Sequence, residues 1–112
     1  MTVQDLTAQK EFVPVHVGKT ADREITKTFC CDLLSIAMGK APEGCAWITV
    51  MANMNTLAVA SLADAACIVL AEDVHLDETA LQKAAEQDIS VFETKLPIFE
   101  AALLVYRKIH GE

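Results

Sequence analysis

The sequence is poor in glycine, and this excludes one common nucleotide-binding device. It contains four glycines among 112 residues. The pattern HVGKT at residues 16–20 ends like a phosphate-binding P-loop, but such a loop needs a glycine five positions before Gly18, where this chain has Val13. We therefore interpret Gly18 as part of a simple turn. The serine-nucleophile pattern G-x-S-x-G is also absent. We expect neither ATPase nor kinase activity, and no enzyme is predicted.

Aromatic residues are scarce as well, at 5% of a chain that is 53% hydrophobic. Much of the hydrophobic fraction is alanine, which favours close packing of helices on a sheet over a large aromatic core. Two interpretations of this high hydrophobic fraction remain open. Alanine-rich helices bury well by themselves, or part of the apolar surface is left for a partner subunit.

The chain has no excess of positive charge and no long hydrophobic run. Its net charge is −7 and its basic residues are scattered, whereas nucleic-acid binding needs a basic patch. No apolar run approaches the roughly 20 residues of a membrane span. The first residues, MTVQDLTAQKEF, show no signal-peptide pattern. We predict a cytoplasmic protein that binds neither nucleic acid nor membrane.

The cysteines form no C-x-x-C pair. They are Cys30, Cys31, Cys45 and Cys67, and two adjacent thiols are a poor arrangement for chelating one metal ion. We expect reduced, mostly buried thiols, no metal site and no cofactor.

Short apolar segments alternate with helical patterns along most of the chain. Strands are predicted at residues 12–17, 23–30, 46–51, 66–71 and 89–94, and helices at 32–39, 55–65, 77–87 and 97–110. Pro14 restricts the first strand to an edge or to its beginning, while Asp32 is a candidate N-cap and Gly39 a candidate helix stop. This alternation predicts a single α/β domain over residues 12–112, with a mainly parallel central sheet of four or five strands and helices packed on it. Residues 1–11 are an N-terminal segment.

The last predicted helix is apolar over a wide arc. Ile98, Ala102 and Val105 recur at helical spacing, and Phe99 and Tyr106 lie beside them. Such a helix can pack on the sheet and on a second copy of the chain, so we predict a homodimer.

Polar residues follow three predicted strands. They are Asn53 and Asn55, then Glu72, Asp73 and His75, then Thr94 and Lys95. Ligands of parallel α/β sheets bind beyond the carboxyl ends of the strands. We predict that the Asn53–Asn55 turn forms one wall of a binding site whose rim includes His75 and Lys95. The alternative is that all of these residues are ordinary caps and turn residues.

Residues 23–73 and the segment ISVFETKLPIFEAA together resemble the DRTGG domain family. The residues that carry the resemblance are Arg23, Asp32-Leu33-Leu34, Met38-Gly39, Trp47-Ile48-Thr49, Asn55 followed by LAVAS, and Thr94-Lys95 with Phe99-Glu100. Only Asp22-Arg23 is similar to the run that names the family. Lys27 and Thr28 stand where members often carry glycines.

The resemblance implies a non-catalytic regulatory, ligand-sensing or dimerisation module with a fold similar to the N-terminal domain of HPr kinase/phosphorylase. It also implies a small anionic or nucleotide effector and a partner protein, in a redox or hydrogenase context, and adds Arg23 to the candidate ligand-binding residues. The alternative is a small enzyme or phosphotransfer accessory that uses His75, which requires His75 to lie in a cleft beside a carboxylate.

Overall fold

A computed structural model of the chain describes residues 1–111 and shows a five-stranded sheet with helices on both faces. The strands are β1 (Val13–His16), β2 (Lys27–Cys30), β3 (Cys45–Thr49), β4 (Cys67–Leu70) and β5 (Val91–Glu93). The helices are α1 (Val3–Leu6), α2 (Leu34–Lys40), α3 (Met54–Ala63), α4 (Glu78–Glu86) and α5 (Ile98–Ile109). Each predicted strand and helix is present, with ends displaced by a few residues.

The strands lie in the order β1-β5-β4-β3-β2. β2, β3, β4 and β5 are parallel, and β1 is antiparallel to β5. The predicted α/β class with a mainly parallel sheet is therefore confirmed. Pro14 lies on β1, an edge strand, where its missing N–H interrupts no ladder.

Both faces of the sheet are buried because consecutive residues of each strand pack on opposite helical layers. In β3, Trp47 belongs to the cluster formed with α2, α3 and α4, whereas Ile48 belongs to the cluster formed with α1 and α5. Trp47 and Ile48 are both fully buried. This two-sided burial explains why the central strands are apolar at every position rather than at alternate ones.

The first eleven residues are part of the same core. Val3 and Leu6 of α1 are buried in the cluster beneath α5. The N–H of Ile25 donates to the carbonyl of Met1 (2.8 Å), and the N–H of Val3 donates to that of Arg23 (3.1 Å). The N-terminal segment that was set apart from the domain therefore contributes to its core and to its β2 side.

The helix α2 differs from the prediction at both ends. Its N-cap residue is Leu33, which forms no side-chain cap, and Gly39 lies inside the helix. Asp32 does not cap because its carboxylate is bound elsewhere, as described below. The helix ends at Lys40 because Ala41 is extended, the conformation favoured by a residue that precedes a proline, here Pro42.

The helix α5 buries one side and exposes another. Ala101, Ala102 and Val105 pack in the core, whereas Phe99 and Tyr106 are 68% and 49% exposed. None of the helices described is both long and apolar enough to cross a membrane.

Candidate functional site at the carboxyl edge of the sheet

The turn after β3 is closed by its own hydrogen bonds. Asn53 is the N-cap of α3, and its side-chain oxygen accepts from the N–H groups of Asn55 (2.9 Å) and Thr56 (3.2 Å). The Thr56 hydroxyl donates to the carbonyl of Met51 at 2.7 Å. The helix begins at Met54, one residue before the position expected. The N–H groups of Asn55 and Thr56 are thus bonded to Asn53 and not open to a ligand.

Neither Asn53 nor Asn55 adopts the left-handed conformation that asparagine tolerates at tight turns. Asn53 is extended, with φ −143°. Left-handed residues occur instead after β4, where Glu72 and Asp73 have φ of 61° and 62°. The extended N-cap conformation of Asn53 places its side-chain oxygen beside the N–H groups of the first turn of α3.

Asp32 joins the ends of β2 and β3. One oxygen of its carboxylate accepts from the Thr49 hydroxyl (2.7 Å) and from the N–H of Val50 (2.9 Å). The indole N–H of Trp47 donates to the carbonyl of Cys31 at 2.9 Å. We call these contacts, together with the Asn53 cap, the asparagine corner. Its polar groups bind one another.

The left-handed pair after β4 anchors the turn that follows β5. The N–H groups of Glu72 and Asp73 donate to the carbonyls of Leu96 and Thr94, both at 2.9 Å. The Glu72 carboxylate accepts from the N–H of Ile98 at 2.8 Å. Glu72 thereby caps α5 from another strand end, and negative charge at that position is favoured by the helix dipole.

His75 lies between two carboxylates. Its Nδ1 is 2.8 Å from Glu93 Oε1 and its Nε2 is 3.1 Å from Asp73 Oδ1. The other oxygen of Glu93 accepts from the N–H of Leu76 at 3.2 Å. The hydrogen bond and charge of Glu93, followed by those of Asp73, raise the pKa of His75 above its usual value. Sequence reasoning missed Glu93 because it lies within the predicted strand 89–94 instead of after it.

An open groove starts beside this histidine. A cleft of about 130 Å³ is lined by Val13, Asp73, His75, Glu93, Thr94 and Lys95. A larger cleft of about 430 Å³ shares Val13, Thr94 and Lys95 and adds Lys10, Glu11, Leu96 and Pro97. Because the two clefts share three residues, they form one surface, which we call the Lys95 groove.

Thr94 and Lys95 play different parts in this groove. Thr94 is buried, and its hydroxyl donates to the carbonyl of Glu11 at 2.7 Å and accepts from the N–H of Leu96. Lys95 is exposed and forms no ion pair within residues 1–111. Of these two predicted site residues of the groove, Lys95 is therefore the one whose polar group is open to a ligand in the described part of the chain.

The predicted site residues do not form one site. His75, Thr94 and Lys95 lie together, but Asn53 and Asn55 line neither cleft of the Lys95 groove. Arg23 is at the opposite end of the sheet, where its guanidinium binds both carboxylate oxygens of Asp64 (2.8 and 3.0 Å). It also donates to the carbonyl of Asp64 at 2.8 Å. These hydrogen bonds lower the pKa of Asp64. Because Asp64 is the C-cap residue of α3, they also attach Arg23 to the end of that helix.

The Gly18 turn binds a carboxylate of the protein itself. The N–H of Gly18 donates to Ser90 Oγ and that of Lys19 donates to Asp88 Oδ2, both at 2.9 Å. The bond from Lys19 lowers the pKa of Asp88. A Cβ on Gly18 would lie 2.9 Å from the carbonyl oxygen of Asp88. The glycine is thus required by close packing, as expected for a simple turn rather than a phosphate loop.

The cysteines are unpaired thiols. Cys45 and Cys67 are buried, Cys31 is half-buried and Cys30 is exposed. Burial raises the pKa of Cys45 to about 11 and raises that of Cys67 further. Thiols held neutral in this way are poor nucleophiles and poor metal ligands. Within residues 1–111, no group of three or more His, Cys, Asp or Glu side chains is placed to hold a metal ion.

No protein-family model matches the chain, and no curated protein matches it. The resemblance to the DRTGG family therefore stays a prediction from the sequence.

Proposed function

We propose that this protein is a non-catalytic ligand-sensing or regulatory module that acts on a partner protein, in keeping with the DRTGG resemblance. One observation carries the proposal. Most polar groups at the carboxyl edge of the sheet already bind the protein itself, whereas Lys95 stands open above a mostly apolar groove. Such a surface suits binding better than chemistry.

The state of His75 supports binding over catalysis. Both ring nitrogens face carboxylates at hydrogen-bond distance, and Glu93 and Asp73 raise the pKa of the ring, which favours its doubly protonated form. A general base or a phosphoryl acceptor needs a ring nitrogen with a free lone pair. His75 would have to break one of its two ion pairs before it could act as either.

The groove suits a ligand with an apolar body and an anionic group. Its walls include Val13, Leu96 and Pro97, and the side chains of Lys10 and Lys95 supply positive charge beside the carboxylate of Glu11. A nucleotide has this chemistry, because its base can pack on the apolar wall while its phosphate faces an ammonium group.

Isothermal titration with AMP and ATP tests the ligand. We expect saturable binding that Lys95→Ala weakens roughly tenfold, as loss of one charge-assisted contact of about 1.4 kcal/mol predicts. Lys40→Ala is the matched control, because Lys40 is exposed on α2 across the sheet. Binding that survives Lys95→Ala unchanged would place the ligand elsewhere, and no binding of either nucleotide would refute a nucleotide effector.

A small enzyme or phosphotransfer accessory is the second candidate. It is favoured by the location of His75 in a cleft beside Glu93, which is the arrangement such an activity requires. Mass spectrometry after incubation with ATP distinguishes a binding module from a phosphotransfer protein. An unchanged mass agrees with a binding module, whereas a phosphoryl group that is lost in His75→Gln would establish the second function.

We also propose that the module is a homodimer that pairs through α5. Phe99 is 68% exposed, and Leu103 is half-buried one turn further on. These two residues form an apolar patch beside the face that packs on the sheet, and burying it in a symmetric pair removes it from water. Sedimentation should show a dimer at micromolar concentration that Phe99→Glu dissociates. A monomeric native chain would refute this part.

A further inference from the structure

The outer edge of β2 is paired over only part of its length. The N–H of Thr26 donates to the carbonyl of Gly44, towards β3. Because backbone groups alternate along a strand, those of Arg23, Ile25, Lys27 and Phe29 face the other way. Arg23 and Ile25 bind Val3 and Met1 in an antiparallel bridge. The N–H and C=O groups of Lys27 and Phe29 form no such bond within residues 1–111 and face solvent.

A groove runs beside this open edge. It has a volume of about 460 Å³ and is lined by Thr26, Lys27, Thr28, Tyr106, Ile109 and His110. The Tyr106 and His110 rings stack with centroids 4.1 Å apart. Nδ1 of His110 binds the carbonyl of Tyr106 at 2.8 Å, which leaves Nε2 as its outer nitrogen.

The groove contains a polar group with no partner. The Thr28 hydroxyl is buried between β2 and α5, yet it forms no hydrogen bond within the part of the chain that the structure describes. Buried hydroxyls in native proteins are nearly always bonded. Thr28 is one of the residues that line the groove beside β2.

The charge of the groove is distinctive in an acidic protein. The chain carries a net charge of −7, and carboxylates line each of the other clefts described above. The six residues of this groove include Lys27 and His110 but no carboxylate.

We propose that the edge of β2 is a docking site for an extended acidic segment of a partner protein, which adds to the sheet as an antiparallel strand beyond Met1. The backbone groups of Lys27 and Phe29 bind the backbone of the segment. The ammonium group of Lys27 binds its carboxylates. This surface lies on the outer strand β2, whereas the Lys95 groove lies beside β1 and β5 on the other side of the sheet. The docking site and the ligand site can therefore be tested independently.

Charge selects an acidic partner over a second copy of the chain. A symmetric pairing of two β2 edges would bring two copies of Lys27 close together, and like charges across paired strands are destabilising. An exposed lysine on an edge strand is also a common defence against self-pairing. The same lysine attracts a strand of opposite charge.

A pair of labelled peptides tests the proposal on the full chain. The probe is Glu-Val-Glu-Val-Glu-Val-Glu, and its counterpart carries lysine in place of every glutamate. We expect fluorescence anisotropy to show the acidic peptide binding roughly tenfold or more tightly than the basic one, and Lys27→Glu to reverse the preference. Lys40→Glu, on exposed α2, should leave the preference unchanged. Hydrogen exchange of the Lys27 and Phe29 amides should slow when the acidic peptide is bound.

Several results would overturn the inference. These are no saturable binding of the acidic peptide at about 1 mM, equal binding of both peptides, or exchange protection confined to residues outside β2. Self-association of the native chain that protects the same two amides would assign the edge to a second copy. In each case AMP binding at Lys95 is measured separately, so failure at β2 leaves the ligand proposal standing.

Discussion

The asparagine corner and the Lys95 groove lie at the same edge of the same sheet and differ in what their polar groups bind. In the corner, Asp32 binds Thr49 and Val50, and Asn53 binds the first turn of α3. In the groove, Thr94 is bonded to the protein, but Lys95 is not paired with any acidic side chain of residues 1–111.

The difference shows that position at a strand end does not by itself make a binding group. Ligands do favour this edge of parallel sheets, yet a polar side chain that caps a helix has little left to offer a ligand. The groove that contains Lys95 lies where β5 meets the antiparallel β1.

The largest expected effect comes from breaking the corner at Asp32. Asp32→Ala leaves the part-buried Thr49 hydroxyl and the N–H of Val50 without their acceptor. We expect the free energy of unfolding to fall by about 2 kcal/mol in urea denaturation. Asp22→Ala is the control, since Asp22 is exposed and its side chain forms no hydrogen bond or ion pair within residues 1–111. A loss below that of the control would show that the corner does not depend on Asp32.

Replacing each of the two asparagines by alanine should have different effects on the free energy of unfolding. Asn53→Ala removes the cap of α3 and should cost about 1 kcal/mol of unfolding free energy. Asn55→Ala should change it by less than about 0.5 kcal/mol, because the Asn55 side chain is exposed and makes no hydrogen bond within residues 1–111. Neither change should alter AMP affinity. If Asn55→Ala weakens AMP binding while stability is kept, the corner is part of the site after all.

The smallest effect is a pH dependence from His75. Glu93, and to a lesser degree Asp73, raise the folded-state pKa of His75 above 6.5. A raised pKa means that the ion pairs stabilise the fold fully below the unfolded pKa of about 6.5 and lose this contribution as pH rises through the folded pKa. The stability advantage of the native chain over His75→Gln should therefore be present at pH 5 to 6 and vanish at alkaline pH, by thermal unfolding. An advantage that grows with pH would contradict the ion pairs.

The sequence by itself determined the architecture of this protein. The strand–helix alternation, the edge position of Pro14 and the packing of the last helix on the sheet were predicted and are present. These features depend on hydrophobic periodicity and on backbone preferences within a few residues, both of which are readable along the chain.

The tertiary structure decided what each polar group binds. Asp32 meets Thr49, His75 meets Glu93, Glu72 meets Ile98 and Arg23 meets Asp64, across 17, 18, 26 and 41 positions. No local pattern encodes these pairs. A side chain at a strand end can cap a neighbouring helix or stay open, and only the packing of distant segments selects between the two. That is why the sequence grouped Asn53, Asn55 and Arg23 with a groove that they do not line.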